Sequence, residues 1–131
     1  MKRYVREAGS LLVRGWLASG TPATSRLSEV EIASALLRRW REGAFDARGR
    51  DRALAALGRD FEALSVVEIG PQVTARARVL LVRHALRAGD ALQLASGLLL
   101  RDSSAGPVEF AAFDERLNQA ARSEGLEPPS A

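Results

Sequence analysis

Residues Leu86–Leu100 read LRAGDALQLASGLLL, and the fold turns on this stretch. Gly89 and Asp90 are followed by Ala91, Leu92, Leu94, Ala95, Leu98 and Leu99, apolar positions on nearly every side of a helix. A helix that is apolar all round belongs in the middle of a domain. Downstream, Pro107–Phe113 predicts a strand, and Asp114 is placed to cap a last helix that stops at Gly125. Upstream, the β-branched run within Ser65–Ile69 predicts another strand. Gly70-Pro71 then opens a helix with proline in its first turn, carrying Val73, Ala77, Leu80 and Leu81 on its buried face.

Further out, Thr21–Thr24 predicts a strand with Pro22 near its start, where proline is tolerated. Ser25 is positioned to cap a long helix whose Leu27, Val30, Ala33, Leu37 and Trp40 recur at three- and four-residue spacing as far as Gly43. Asp46 opens the next helix, through Leu54, Leu57, Phe61 and Leu64. At the front, Ser10 before Leu11-Leu12-Val13 and Trp16-Leu17, with Ser19-Gly20 behind, predicts a short helix. Strands separated by helices imply an α/β domain with a parallel sheet and right-handed crossovers. Only about three strands are visible, few for such a sheet covered on both faces. One domain is expected over 1–126, with 127–131 as a frayed tail.

Composition narrows the chemistry. There is no cysteine, so disulfides and thiolate metal sites are excluded. The single histidine, His84, excludes a multi-histidine zinc site, and it has no evident serine or acid partner for a triad. A metal would therefore be a hard cation held by carboxylates, Mg²⁺ or Mn²⁺. No apolar run is long enough to span a bilayer, and the N-terminus lacks the apolar core of a signal peptide, so the expected compartment is the cytoplasm. The net charge is +3 and Lys2 is the only lysine. Arginine suits phosphate oxygens, but the same bias follows from a GC-rich genome. No glycine-rich nucleotide loop is present.

Several acids stand at chemically useful places. Asp114 lies where a strand ends and a helix begins, at the edge where open parallel sheets bind ligands; the simpler alternative is a helix cap. Asp90 sits in the first turn of the buried helix, favoured there by the helix dipole, yet a carboxylate among leucines is costly without a partner. Glu29 and Glu31 point to nearly opposite sides of their helix, and periodicity does not choose between them. Asn118, one turn after Asp114, faces the same way and could assist a water or phosphate; the simpler alternative is a solvated helix residue. Arg38, Arg39, Arg41, Arg48, Arg50 and Arg52 form a basic cluster suited to a phosphate backbone or simply to solvent. Trp16 and Trp40 are expected to pack against the core or a dimer interface.

Three segments taken in order resemble the PIN-domain ribonucleases: TSRLSEVEIASALLRRW (Thr24–Trp40), LRAGDALQLASGL (Leu86–Leu98) and VEFAAFDERLNQAARSEGL (Val108–Leu126). Within that family they look most like the VapC-type toxins of toxin–antitoxin pairs. KRYVREAGS (Lys2–Ser10) is similar to the segment that follows the family's first strand. The resemblance implies a PIN-like three-layer domain whose acids hold Mg²⁺ or Mn²⁺ at one end of the sheet. By motif match those acids are Glu31, rather than Glu29, together with Asp90 and Asp114. Gln93 stands in place of the family's usual histidine, and Gly89 where a larger residue is common. The family's central first strand and its aspartate have no counterpart here, Met1 standing where the following segment begins. The function implied is metal-dependent endoribonuclease, the toxin of a pair, with RNA as substrate, a cognate antitoxin as partner and homodimers as the assembly. The alternative is a catalytically impaired or N-terminally truncated PIN fold that only binds a protein partner.

Overall fold

A computed structural model describes residues 16–18, 21–104, 108–110, 112 and 114–128. In chain order its elements are β1 (Trp16–Ala18), β2 (Thr21–Ser25), α1 (Arg26–Arg41), α2 (Ala47–Ala63), β3 (Ser65–Val67), α3 (Pro71–Arg83), α4 (Ala88–Ser103), β4 (Val108–Phe110) and α5 (Glu115–Ser123). Local chemistry sets most of the boundaries. Ser25 caps α1 by accepting from the Leu27 N–H at 3.2 Å, and the chain leaves that helix through Gly43 at φ +87°. Asp46 caps α2 through the Gly49 N–H at 2.8 Å. Pro71 begins α3, where a missing N–H costs nothing. Asp114 caps α5 through the Arg116 N–H at 2.9 Å, and Gly125 turns the chain out at φ +96°.

The front of the chain differs from expectation. Trp16–Ala18, read as the end of a short helix, is a strand, and 10–15 lie outside the described residues. Only two residues separate Ala18 from Thr21, too few for a crossover, so β1 pairs antiparallel with β2. The sheet runs β3-β2-β1-β4 and is mixed: β2 and β3 are parallel, whereas β1 is antiparallel to both its neighbours. The expected parallel sheet is present in β2, β3 and β4, which run the same way, and β1 adds an antiparallel strand to it. The place between β2 and β4 is filled by β1, which runs antiparallel to both.

Helices pack in two groups with separate cores, giving the layered α/β arrangement that was expected. Ile32, Leu36, Ala56, Leu57 and Phe61 form one core between α1 and α2, and Val66 of β3 packs on it. The next residue, Val67, packs instead on the larger core, as alternation along a strand requires. That core gathers Val73, Ala77 and Leu80 of α3, Ala91, Leu94, Ala95 and Leu98 of α4, and Leu117, Ala120 and Ala121 of α5 around Ala23, Val108 and Phe110. Gln93–Leu98 are all buried, so α4 is the central helix its sequence announced. Leu81 is 42% exposed, not buried, because the face set by Val73, Ala77 and Leu80 turns away from it. Past Leu126, the Glu127 N–H donates to the Val108 carbonyl and the Phe110 N–H to the Glu127 carbonyl, so the chain is still tied to β4 there.

Candidate active site

Because β1 is antiparallel to both β2 and β4, those two strands run the same way, and β3 runs with them. All three end at one edge of the sheet. Trp16 pairs with both Ala23 and Phe110, so β2 and β4 are level, separated by one strand, about 10 Å between axes. The chain leaves this edge through Ser25 into α1 and through Ala112 toward Asp114, and ligands of open α/β sheets sit outside such an edge.

Polar side chains are buried there between α1 and α4. The Thr24 hydroxyl donates to Ser28 Oγ at 2.9 Å, and Gln93 Nε2 donates to the same oxygen at 2.8 Å. Gln93 Nε2 also donates to Glu31 Oε1 at 2.9 Å. Ser96 Oγ lies 3.3 Å from Ser25 Oγ and donates to the Leu92 carbonyl at 2.8 Å. The spacing is simple: Ser28 and Glu31 are three apart on α1, Asp90, Gln93 and Ser96 three apart on α4, so each set lines one face. Glu31 thus meets the first turn of α4. Its Oε2 would stand 3.5 Å from a Cβ at Gly89, the residue before Asp90. Asp90 is 6% exposed, at the positive end of the helix dipole.

Glu29 faces elsewhere, as the two-residue spacing requires. It pairs with Arg26 at 3.1 Å, and Arg26 clasps both oxygens of Glu68 at 2.9 and 2.6 Å. The hydrogen bond from Arg26 holds the Glu68 carboxyl below its ordinary range, and the same bond raises the guanidinium. Asp114 reaches the same sheet edge, but its carboxylate is turned onto the first turn of α5. Among the described residues no three carboxylate or histidine side chains gather closely enough to hold a metal ion. The structure therefore brings Glu31 to the start of the Asp90 helix and leaves Asp114 as the cap of α5.

The donors present fit a hard divalent cation. Asp90 and Glu31 are carboxylates, the hard oxygen donors such an ion takes. The only imidazole is occupied elsewhere. His84 ends α3, and its Nε2 lies 2.8 Å from Glu124 Oε2, so the expectation that it lacks an acid partner is corrected. That partner is forty residues away, beyond the reach of spacing. Asn118 is also reassigned. Its Oδ1 accepts from the Ala112 N–H at 2.9 Å and its Nδ2 donates to the Ala112 carbonyl at 2.5 Å, so it clamps the approach to Asp114. In the arginine cluster, Arg38, Arg39, Arg41, Arg48 and Arg52 are exposed, and Arg50 stacks on Trp40 with its guanidinium 4.5 Å from the ring centre. Arg41 lies ten residues beyond Glu31, about 15 Å along the helix.

The family model for the PIN domain matches residues 5–123, most of the chain. The chain belongs to the PIN-domain family. PIN domains are typically nucleases that use divalent metals. Comparison with curated proteins and with solved structures gives no match. Among the described residues, no helix of this PIN domain is long and apolar enough to cross a membrane.

Proposed function

We propose that this PIN domain is a metal-dependent endoribonuclease and the toxin of a toxin–antitoxin pair, acting in the cytoplasm as a homodimer. The observation that carries the nuclease reading is the nearly buried Asp90 at the start of α4, with Glu31 held against the same turn by Gln93. Asp90 stands at the edge where α/β sheets do their chemistry, at the start of a buried helix whose dipole favours negative charge there. Asp90 and Glu31 are the residues that would hold Mg²⁺ or Mn²⁺, with Asp114 as the third acid on leaving its cap. When bound, such an ion polarises a phosphodiester oxygen and acidifies a water molecule. The chain's own contribution is positional. Burial keeps bulk water from Asp90, and Gln93 fixes one oxygen of Glu31. The exposed arginines on and beyond the end of α1 supply contacts for the RNA backbone, and that binding weakens with salt.

The test is Mg²⁺-dependent cleavage of RNA by the wild type and by Asp90→Asn. The substitution keeps the shape of the side chain and removes the charge, so cleavage should be lost while the circular dichroism spectrum is retained. Cleavage that persists in the variant, or in EDTA, overturns the proposal.

A further inference from the structure

We infer that Gln93 is a positioning residue for the metal-binding carboxylates, orienting Glu31 toward the start of α4; this rests on the reading of Asp90 and Glu31 as a divalent-cation site.

The argument starts from what is unfavourable about Gln93. It is fully buried on α4, on the face it shares with Asp90 and Ser96. Its amide oxygen has no partner there. A methionine of the same length would fill that space with no orphaned acceptor. The amide is oriented with its NH₂ group toward α1, where Nε2 donates at once to Ser28 Oγ and to Glu31 Oε1. Turning the amide over would set its oxygen against the Glu31 carboxylate, so the observed orientation follows from the charge it serves. With Oε1 of Glu31 fixed, Oε2 is directed to the backbone at Gly89, immediately before Asp90. A Cβ at Gly89 would come within van der Waals contact of that oxygen, whereas the glycine leaves it clear. Gln93 thus holds one oxygen of this carboxylate while the other stands at the first turn of α4. Groups that orient a ligand in this way typically change metal affinity by about 10–100-fold when removed.

The experiment compares the wild-type chain with Gln93→Met. Mn²⁺ binding is followed by electron paramagnetic resonance, and urea unfolding is measured in EDTA. A positioning role gives a Mn²⁺ affinity lower by about 10-fold or more, with a urea midpoint equal to or above that of the wild type. A structural role gives the reverse, a lower midpoint with unchanged affinity, and overturns the inference. Should Gln93→Met fail to fold, the wild type decides the matter through the side-chain amide resonances of Gln93 during Mg²⁺ titration. They should shift together with the backbone amide of Asp90. If Asp90 responds and Gln93 does not, the role of Gln93 is refuted while the metal site stands. If the wild type binds neither ion, the metal site and the positioning role fall together.

Discussion

Glu124 joins the ends of three helices, and its removal gives a stability change that can be worked from contacts. The residue follows α5, with a side chain only 13% exposed. Its carboxylate accepts from His84 Nε2 at 2.8 Å and from Arg83 Nη1 at 3.0 and 3.3 Å, while Arg101 of α4 donates to its backbone carbonyl. Glu124→Ala deletes the carboxylate bonds and leaves the carbonyl bond intact. Hydrogen bonds to charged groups contribute about 1.5–3 kcal/mol each, but Arg83 is 58% exposed and its share is small. The expected loss is about 2 kcal/mol. At about 2.1 cal/mol/K per residue, a chain of this length has an unfolding entropy near 0.28 kcal/mol/K, so the melting temperature should fall by about 7 °C at pH 7. The sign with pH follows from the acid itself. Burial pushes the Glu124 carboxyl up, but hydrogen bonds from His84 and Arg83 outweigh it and the group lies below its ordinary value. Its stabilisation is complete above the ordinary glutamate value of about 4.3 and is lost as pH falls through the lower folded value. Thermal unfolding monitored by circular dichroism from pH 7 to pH 3 should show the two proteins converging at the acid end. A difference under about 1 °C at pH 7, or one that persists undiminished at pH 3, would refute the assignment of Glu124 as the tie between α3 and α5.

Two further outcomes follow from the packing. Asn118→Ala removes both ends of the clamp on Ala112 and should cost about 1–2 kcal/mol in urea unfolding; the Ala112 amide should also exchange with deuterium faster, and unchanged exchange would show that the clamp does not hold the approach to Asp114. Leu94→Ala opens a cavity in the middle of α4, where the side chain is wholly buried, and should cost about 3 kcal/mol; a loss below about 1 kcal/mol would mean that α4 is not the central helix of the larger core.

What could be read from the chain alone divides along a physical line. The starts of α1, α2 and α5 were legible because Ser25, Asp46 and Asp114 act on N–H groups two or three residues away, and the exits at Gly43 and Gly125 need a left-handed residue on the spot. Burial of α4 was legible because a helix displays its whole circumference within a dozen residues. β1 was not. Trp16–Ala18 carries too few residues to show a period of two or of 3.6, and it is a strand only because β2 and β4 lie on either side of it. The candidate site follows the same rule one level up. The first turn of a buried helix pointed to Asp90 and the strand-to-helix position to Asp114, while only the family resemblance chose Glu31 over Glu29. The groups that orient acids escaped notice: Gln93 meets Glu31 across 62 residues, and His84 meets Glu124 across forty. Within α4, Gln93 shares a buried polar face with Asp90 and Ser96, yet its amide oxygen is left without a partner, a local conflict with the packing around it. Such conflicts persist in natural sequences where a site requires them. The orphaned oxygen of Gln93 is the structural form of that conflict, which is why the least comfortable residue of the core directs attention to the carboxylate beside it.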